Sequence, residues 1–410
     1  MRTEPITSWG QQLRTALSAQ LSDALILRRA LHARPELSGH EEETARAVVR
    51  ALGTPPSEPI AGTGRLIRIG PADGPCVAVR AELDALPLVE TTGVSWAAPA
   101  GKMHACGHDV HMAALTALCR AAATVPLPVG LLAVLQPREE SLPSGAYDIV
   151  RDPAFVGHDV RAVIGAHVQP ALAEGTVAAA PGPVNAAVDD FLIRVTGHPG
   201  HAAYPHLVRD PILTLAQIIV SMQQIVSRRT DPTHAAVVSV GVLQSGTAPG
   251  VVPAEALARG TLRTLSESDR SALRVALTEV VVSTGTAYGC QAEIVFTSGE
   301  PALVNDDRLA RVAGAHLENA GFSVDTHLRS CGSDDFAFYS EVAPSLMMFV
   351  GVDGQPGTGL HHPGFLPGDQ AVGDTAKALL AGYLAGCVLV LEGDASTANP
   401  HLVHAVGDVE

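Results

Sequence analysis

The sequence predicts a two-domain α/β protein in which a smaller domain interrupts a larger one. Three observations lead there. The chain has 410 residues, about twice the usual single-domain length. Over its first half, apolar strand-like runs alternate with helical runs, the pattern of a layered α/β domain with a largely parallel sheet. After residue 184 the order becomes strand, helix, strand, strand, helix, strand, which is ferredoxin-like.

The elements follow in sequence. From about residue 18, AQLSDALILRRALHARPEL is helical up to Pro35, and EEETARAVVRAL forms a second helix with an acidic first turn. GRLIRIG at 64–70, CVAVRAEL at 76–83, VGLLAVLQ at 129–136 and RAVIGAHV at 161–168 read as strands. The helix HDVHMAALTALCRAAATV at 108–125 lies among them. Past the turn PGPV at 181–184, the strands AVDDFLIRVTG, HAAVVSVGVLQ, AEALARGTLRTL and QAEIVFT are joined through an amphipathic helix, DPILTLAQIIVSMQQIVSRR, and a capped helix, SESDRSALRVALTEVVVSTGTAYG. The insertion is expected over 186–298, which leaves 1–185 and 299–410 to the larger domain; the latter resumes with the helix DDRLARVAGAHLENAG. Such an insertion has a free edge strand, and an edge of this kind is either protected or paired with a second subunit.

Composition narrows the function classes. Hydrophobic residues make up 47% and charged residues 17%, with no low-complexity block, so the chain is globular. The net charge is -15, and the scattered basic residues are Arg except for Lys102 and Lys377, which argues against nucleic acid as a partner. The first residues lack the apolar stretch of a secretory signal, and no run has the length and apolarity of a membrane span; a soluble, cytoplasmic protein is expected. Six Cys without a C-x-x-C pair suggest neither a disulfide scaffold nor a zinc ribbon.

Four short motifs carry chemistry. In M-H-A-C-G-H-D-V-H at 103–111, Cys106 and His108 stand two apart at a helix start, with Gly107 allowing a sharp turn; thiolate and imidazole are both good ligands for a borderline divalent metal. Alone, the fragment is equally a helix start with surface histidines. Q-P-R-E-E-S at 136–141 puts Glu139 and Glu140 just past an apolar strand, where open α/β sheets bind ligands. One carboxylate could be held ionised by a metal while the other moves a proton; the plainer reading is a solvated acidic loop. G-A-H-V at 165–168 ends another apolar strand, and L-H-H-P at 360–363 lies near the C-terminus. A single hydrolytic metal centre accounts for all four.

With R-A-E-L-D-A-L-P (80–87), G-H-A-A-Y-P-H (200–206), G-T-L-R (260–263) and G-S-D-D-F (332–336) added in order, the chain resembles the metallopeptidase-fold amidohydrolases: aminoacylases, hippurate hydrolases and auxin-conjugate hydrolases. The resemblance spans about residues 25 to 390. It implies a zinc-peptidase-like catalytic domain and an inserted lid and dimerisation domain. It also implies a dinuclear site of Cys106, His108, Glu140, His167 and His361, with Glu139 as catalytic base and Asp84 orienting a ligand. His361 is chosen over His362 because the family's ligand aligns with the first His of the pair. Two divalent ions per subunit are implied, zinc or manganese foremost, since mixed Cys, His and Glu donors suit zinc and availability often decides. The implied reaction is hydrolysis of the amide of a small N-acyl amino acid, with Glu139 taking a proton from water and returning it to the leaving amine. His201 is the implied oxyanion donor, completed across a homodimer, against a plain loop His. Arg263 is a natural anchor for a substrate carboxylate, which guanidinium binds bidentately, and equally an ordinary surface arginine on a strand.

Departures from the family pattern bear on substrate. S-G-T-A-P-G-V-V-P at 245–253 carries Gly250 where an Asn is usual, G-H-P-G at 197–200 alters the approach to His201, and Asp334 replaces a usual Glu. A dipeptidase or carboxypeptidase of the same fold, and a catalytically impaired binding protein, stay open as alternatives.

Overall fold

A computed structural model describes residues 4–53, 56–99, 101–353 and 357–393. Residues 1–3 and 394–410, the outer ends of the expected larger domain, lie outside the described residues. Two compact units emerge, one formed by Met1–Gly182, Val304–Leu328 and Phe338–Glu410, the other by Pro183–Leu303 and Arg329–Ala337.

An eight-stranded sheet organises the first unit. Its centre is four parallel strands in the order Gly130–Gln136, Cys76–Glu82, Val160–Gln169 and Ser345–Gly351. Every residue of Cys76–Glu82, Gly130–Gln136 and Ser345–Gly351 is buried, as for parallel strands covered on both faces. Continuous apolar runs in the sequence follow from that burial. The expectation of a largely parallel sheet is corrected at the margins. Gly64–Ile69 runs antiparallel to Gly130–Gln136 and forms a hairpin with the edge strand Glu58–Ile60, because the three residues between them permit only a tight reversal. On the far side Thr176–Ala178 is antiparallel to Ser345–Gly351 and parallel to Ser323–Asp325. The sheet is therefore mixed.

Helices Leu21–His32, His108–Ala122, Asp307–Asn319 and Gln370–Leu391 share one apolar core with this sheet. Gln370–Leu391 is the one helix among the described residues that is long and apolar enough to cross a membrane, and it is mostly buried within the unit. Its apolar surface serves packing: a Cβ at Gly382 would fall 2.4 Å from Ile164 Cγ2, so only glycine lets helix and sheet come this close. This helix, the helix Glu4–Ser18 and the strand Ser345–Gly351 are additions to the elements expected from sequence.

The second unit is a four-stranded antiparallel sheet in the order Ala236–Ser245, Glu255–Thr264, Ala187–Thr196, Gln291–Ser298. With helices Pro211–Gln224 and Glu267–Ala287 between the strands, this is the ferredoxin-like arrangement. Strand Ala187–Thr196 alternates buried and less buried residues, and Phe191, Ile193 and Val195 pack with Leu215, Ile218 and Leu277 of the helices. Asp210 caps the first helix by accepting from Ile212 and Leu213 N–H, and Ser266 caps the second by accepting from Asp269 N–H. Buried Asp189 is matched by Arg270 at 2.6 Å. Residues 329–337, placed with the larger domain by the sequence reading, group here because Ala186 N–H donates to Gly332 O at 2.9 Å and Asn185 bridges Ser330.

Candidate metal centre

The parallel strands of the first unit end in polar residues, and those ends gather the candidate ligands. Helix His108–Ala122 starts at Gly107, whose φ of 86° is left-handed and whose missing Cβ would meet Val168 Cγ2 at 2.5 Å. Glycine is thus required twice, by conformation and by contact. It brings Cys106 and His108 against the end of strand Val160–Gln169, and Cys106 Sγ lies 3.4 Å from His167 Nε2. Cys106 Sγ, one His108 ring nitrogen and one Glu140 oxygen all lie within 4.8 Å of one another. His361 Nε2 stands 3.2 Å from Glu140 Oε1, and Glu139 Oε2 is 3.7 Å from His108 Nε2. The five expected ligands and the expected base are therefore neighbours. His362 Nδ1 accepts from Gly364 N–H at 3.0 Å.

Ring orientation is set by the backbone. His108 Nδ1 donates to the Asp84 carbonyl at 2.9 Å and His167 Nδ1 to the Val168 carbonyl at 2.7 Å, so each neutral ring keeps its lone pair on Nε2. His108 Nε2 is buried and makes no hydrogen bond. Two anchors hold the acidic loop: Asp84 Oδ2 accepts from Glu140 N–H at 2.9 Å and from Ser38 Oγ at 2.7 Å. Fully buried Glu41 accepts from Arg138 N–H at 2.9 Å, where Arg138 takes a left-handed φ of 52°. His361 is likewise left-handed, at φ 64°, and its N–H donates to Ala105 O at 2.9 Å. Backbone of this kind persists only where surrounding contacts impose it.

The electrostatics favour a cation. Burial alone would lower the His108 pKa, yet the Asp84, Glu82 and Glu140 carboxylates outweigh it and carry it up to about 10. Burial, reinforced by Glu140, Glu139 and Glu82, pushes the Cys106 thiol well above its ordinary value. His167 goes the other way, down to about 3, through burial first and the neighbouring His111 second. The carboxylates that hold the His108 imidazole up against burial give its surroundings negative potential, which a bound divalent ion offsets. The donor set, the orphaned His108 nitrogen and this potential all fit a metal.

A family model described as peptidase family M20/M25/M40 matches residues 78–381. The chain belongs to this family. Among its relatives, an N-acetyl-L-cysteine deacetylase of Bacillus subtilis is 36% identical over 353 residues, covering 84% of each chain. An N-acetyldiaminopimelate deacetylase of Anoxybacillus flavithermus is 33% identical over 368 residues, 87% of this chain and 96% of the relative. Of solved structures, a dinuclear metal-binding M20 peptidase of Bacillus subtilis superposes with a TM-score of 0.78 at 32% identity, covering 91% of this chain and 99% of that one.

Two further buried residues of the M20 chain, not among the expected ligands, join this cluster. Glu82 and His111 stand within 4.8 Å of His108 and His167 through one ligand atom each. Glu82 Oε2 accepts from His111 Nδ1 at 2.9 Å, and His111 Nε2 accepts from Val168 N–H at 3.0 Å. Both ring nitrogens of His111 are thereby engaged. The legible signal was Arg80 and Glu82, two charges inside an otherwise apolar strand.

His201 and Arg263 belong to the second unit. His201, on the two-residue strand Gly200–His201, pairs with Val251 and is exposed; its Nδ1 accepts from Ala203 N–H at 3.0 Å, which leaves the neutral ring's proton on Nε2. Gly250 O accepts from Ala202 N–H at 3.0 Å, and a Cβ at Gly250 would meet nothing within 4 Å, so no crowding demands glycine there. Arg263 Nη1 donates to Cys331 O at 3.1 Å.

Proposed function

We propose that this M20 protein hydrolyses the amide bond of a small N-acyl amino acid at a dinuclear centre held by Cys106, His108, Glu140, His167 and His361. The observation that carries the reading is the convergence of thiol, imidazole and carboxylate donors within 4.8 Å, beside carboxylates that favour a cation. Its relatives named as deacetylases of N-acetyl amino acids point to the substrate class. Two divalent ions, zinc or manganese, would supply Lewis acidity to the amide carbonyl and acidify water.

The remaining chemistry belongs to the chain. Glu139 takes the proton of the attacking water and passes it to the departing amine. Asp84 acts through the Glu140 backbone and through His108, holding both in place. His201, with its proton on Nε2, donates to the developing oxyanion; removing one such donor costs about 3–4 kcal/mol in well-studied hydrolases. Arg263 binds the substrate carboxylate. Residues 186–298 serve as lid and dimerisation domain, pairing two copies through the free edge Ala236–Ser245, where Val242 and Leu243 are exposed; 1–185 and 299–410, apart from residues 329–337 that group with the second unit, form the catalytic domain, in a cytoplasmic enzyme. The test is a release assay over acetyl, benzoyl and long-chain acyl amino acids with dipeptides included, before and after chelation. Turnover confined to acyl amino acids and lost with the metal is expected; release from dipeptides alone, or turnover indifferent to chelation, overturns the reading.

A further inference from the structure

Beyond the ligands, a buried polar chain runs through the core of the first unit. Tyr339 Oη donates to Gln136 Oε1 at 3.0 Å, and Arg80 Nε donates to the same oxygen at 2.9 Å. Arg80 pairs with Glu82, Glu82 Oε2 accepts from His111 Nδ1 at 2.9 Å, and His111 Nε2 accepts from Val168 N–H at 3.0 Å. The same Val168 supplies the carbonyl that orients His167 at 2.7 Å. Arg80, Glu82, His111 and Gln136 are all at most 1% exposed.

A grouping by distance would make His111 a fourth imidazole or carboxylate donor beside Glu82, His108 and His167. Proton accounting excludes that. Val168 N–H can only donate, so His111 Nε2 must offer its lone pair to the backbone; Nδ1 then carries the proton and gives it to Glu82. Neither nitrogen has a lone pair left for an ion.

We propose that His111 is a positioning residue for the metal site: locked by Glu82 as the Nδ1–H tautomer, it pins the peptide that joins His167 to Val168 and thereby fixes the backbone from which the His167 side chain is aimed. The inference rests on the dinuclear reading above, with His167 as a ligand. Glu82 and Arg80 are placed to hold the tautomer, and Gln136 ties them to the strand whose continuation carries Glu139 and Glu140. A buried charged pair in the middle of a parallel sheet is costly unless fully paired, and every group here has a partner.

The two ring nitrogens can be tested separately, because the amide of Asn takes roughly the place of Nδ1 and the amide of Gln that of Nε2. Co2+ binding to the metal-free chain is titrated by calorimetry and by visible absorption, with circular dichroism to establish folding. Wild type is expected to take two ions. His111→Gln, which can still accept from Val168, should bind within about threefold of wild type. His111→Asn, which keeps the Glu82 contact and loses the one to Val168, should weaken one of the two ions by about 10–100-fold, the usual cost of removing a partner of a ligand. Equal affinities for both variants, whether at the wild-type level or equally weakened, overturn the proposal. A wild-type chain that takes no Co2+ fails the dinuclear reading itself and not the tautomer assignment, which the ring NMR below then decides. Should either variant not fold, nitrogen NMR of the wild-type His111 ring decides: the Nδ1–H tautomer is expected with and without metal, and an Nε2–H or metal-shifted Nε2 resonance overturns the assignment.

Discussion

Arg28 should be among the most costly side chains to remove, and its surroundings allow the size of the loss to be worked out. It is fully buried, with Nε 3.1 Å from Asp109 Oδ2, Nη2 2.7 Å from the Pro367 carbonyl and Nη1 3.1 Å from the Gly368 carbonyl. Arg28→Met keeps the apolar stem and deletes the guanidinium. Asp109, 1% exposed, would then be a buried carboxylate lacking one of its two close cationic partners, a change that costs about 3–5 kcal/mol when one partner of a buried pair is lost. His32 Nδ1, also 3.1 Å from Asp109 Oδ2, remains and draws the value toward the lower end. The buried Pro367 carbonyl adds about 1–3 kcal/mol for its missing donor, whereas the exposed Gly368 carbonyl can turn to water. These contributions share one network and do not simply add, so the expected loss is about 3–5 kcal/mol against a typical total of about 5–15. Urea unfolding of the metal-free chain measures it. Both tryptophans, Trp9 and Trp96, lie in the first unit, so their fluorescence reports that unit. Asp109→Asn in the Arg28→Met background should recover part of the loss. A cost below about 1 kcal/mol, or strict additivity of the two changes, refutes the buried-pair argument.

Four further outcomes are expected. Glu139→Gln should keep its metals and lose nearly all turnover, whereas Glu140→Gln should lower metal content; metal analysis of both reverses the assignment if the pattern is opposite. Co2+ loading should produce a thiolate charge-transfer band that Cys106→Ser abolishes, and an unchanged band removes Cys106 from the site; alkylation is a poorer probe, since burial and nearby carboxylates keep the free thiol protonated. Burial lowers the His32 pKa but Asp109 and Glu90 outweigh it, so the folded value is raised; stability from this shift is complete below about pH 6.5 and is lost as pH rises through the folded value. The advantage of wild type over His32→Gln in urea should accordingly shrink as pH rises above about 6.5, and a gap that grows contradicts the sign. Finally, Glu139→Ala and His201→Ala chains refolded together should give about half mixed dimers, restoring about a quarter of all sites; no gain over either parent despite subunit exchange places His201 within its own chain or outside catalysis.

How much of this was legible depended on whether a signal was local. The strands Cys76–Glu82 and Gly130–Gln136 announced themselves as apolar runs because both their faces are covered. Helix Gln370–Leu391 did not, for a related reason: buried on nearly all sides, it is apolar around its whole circumference and loses the helical period that marks an amphipathic helix. The direction of strand pairing was not legible either. Gly64–Ile69 lies antiparallel to Gly130–Gln136, and Thr176–Ala178 to Ser345–Gly351, through chain connections that composition does not encode. The grouping of 329–337 with the second unit rests on contacts such as Ala186 to Gly332, far apart in sequence.

The candidate site divides along the same line. Cys106, His108, Glu139, Glu140, His167 and His361 are visible because each is a ligand or base type beside Gly, Pro or a strand end. Glu82 and His111 sit in the same motifs, and nothing in residue type alone separates a ligand from the residue that aims it. What could have separated them is the strand Cys76–Glu82. Arg80 and Glu82 are two apart and so share one face, inside a run whose every residue is buried. Two opposite charges on one face of a buried parallel strand must be paired with each other and with a further partner, or the strand would not be stable there. Glu82, once matched with Arg80, still has an oxygen to satisfy, and a buried imidazole on the helix that starts at His108 is the group able to do so. His111, one turn into that helix and wholly buried, is that group.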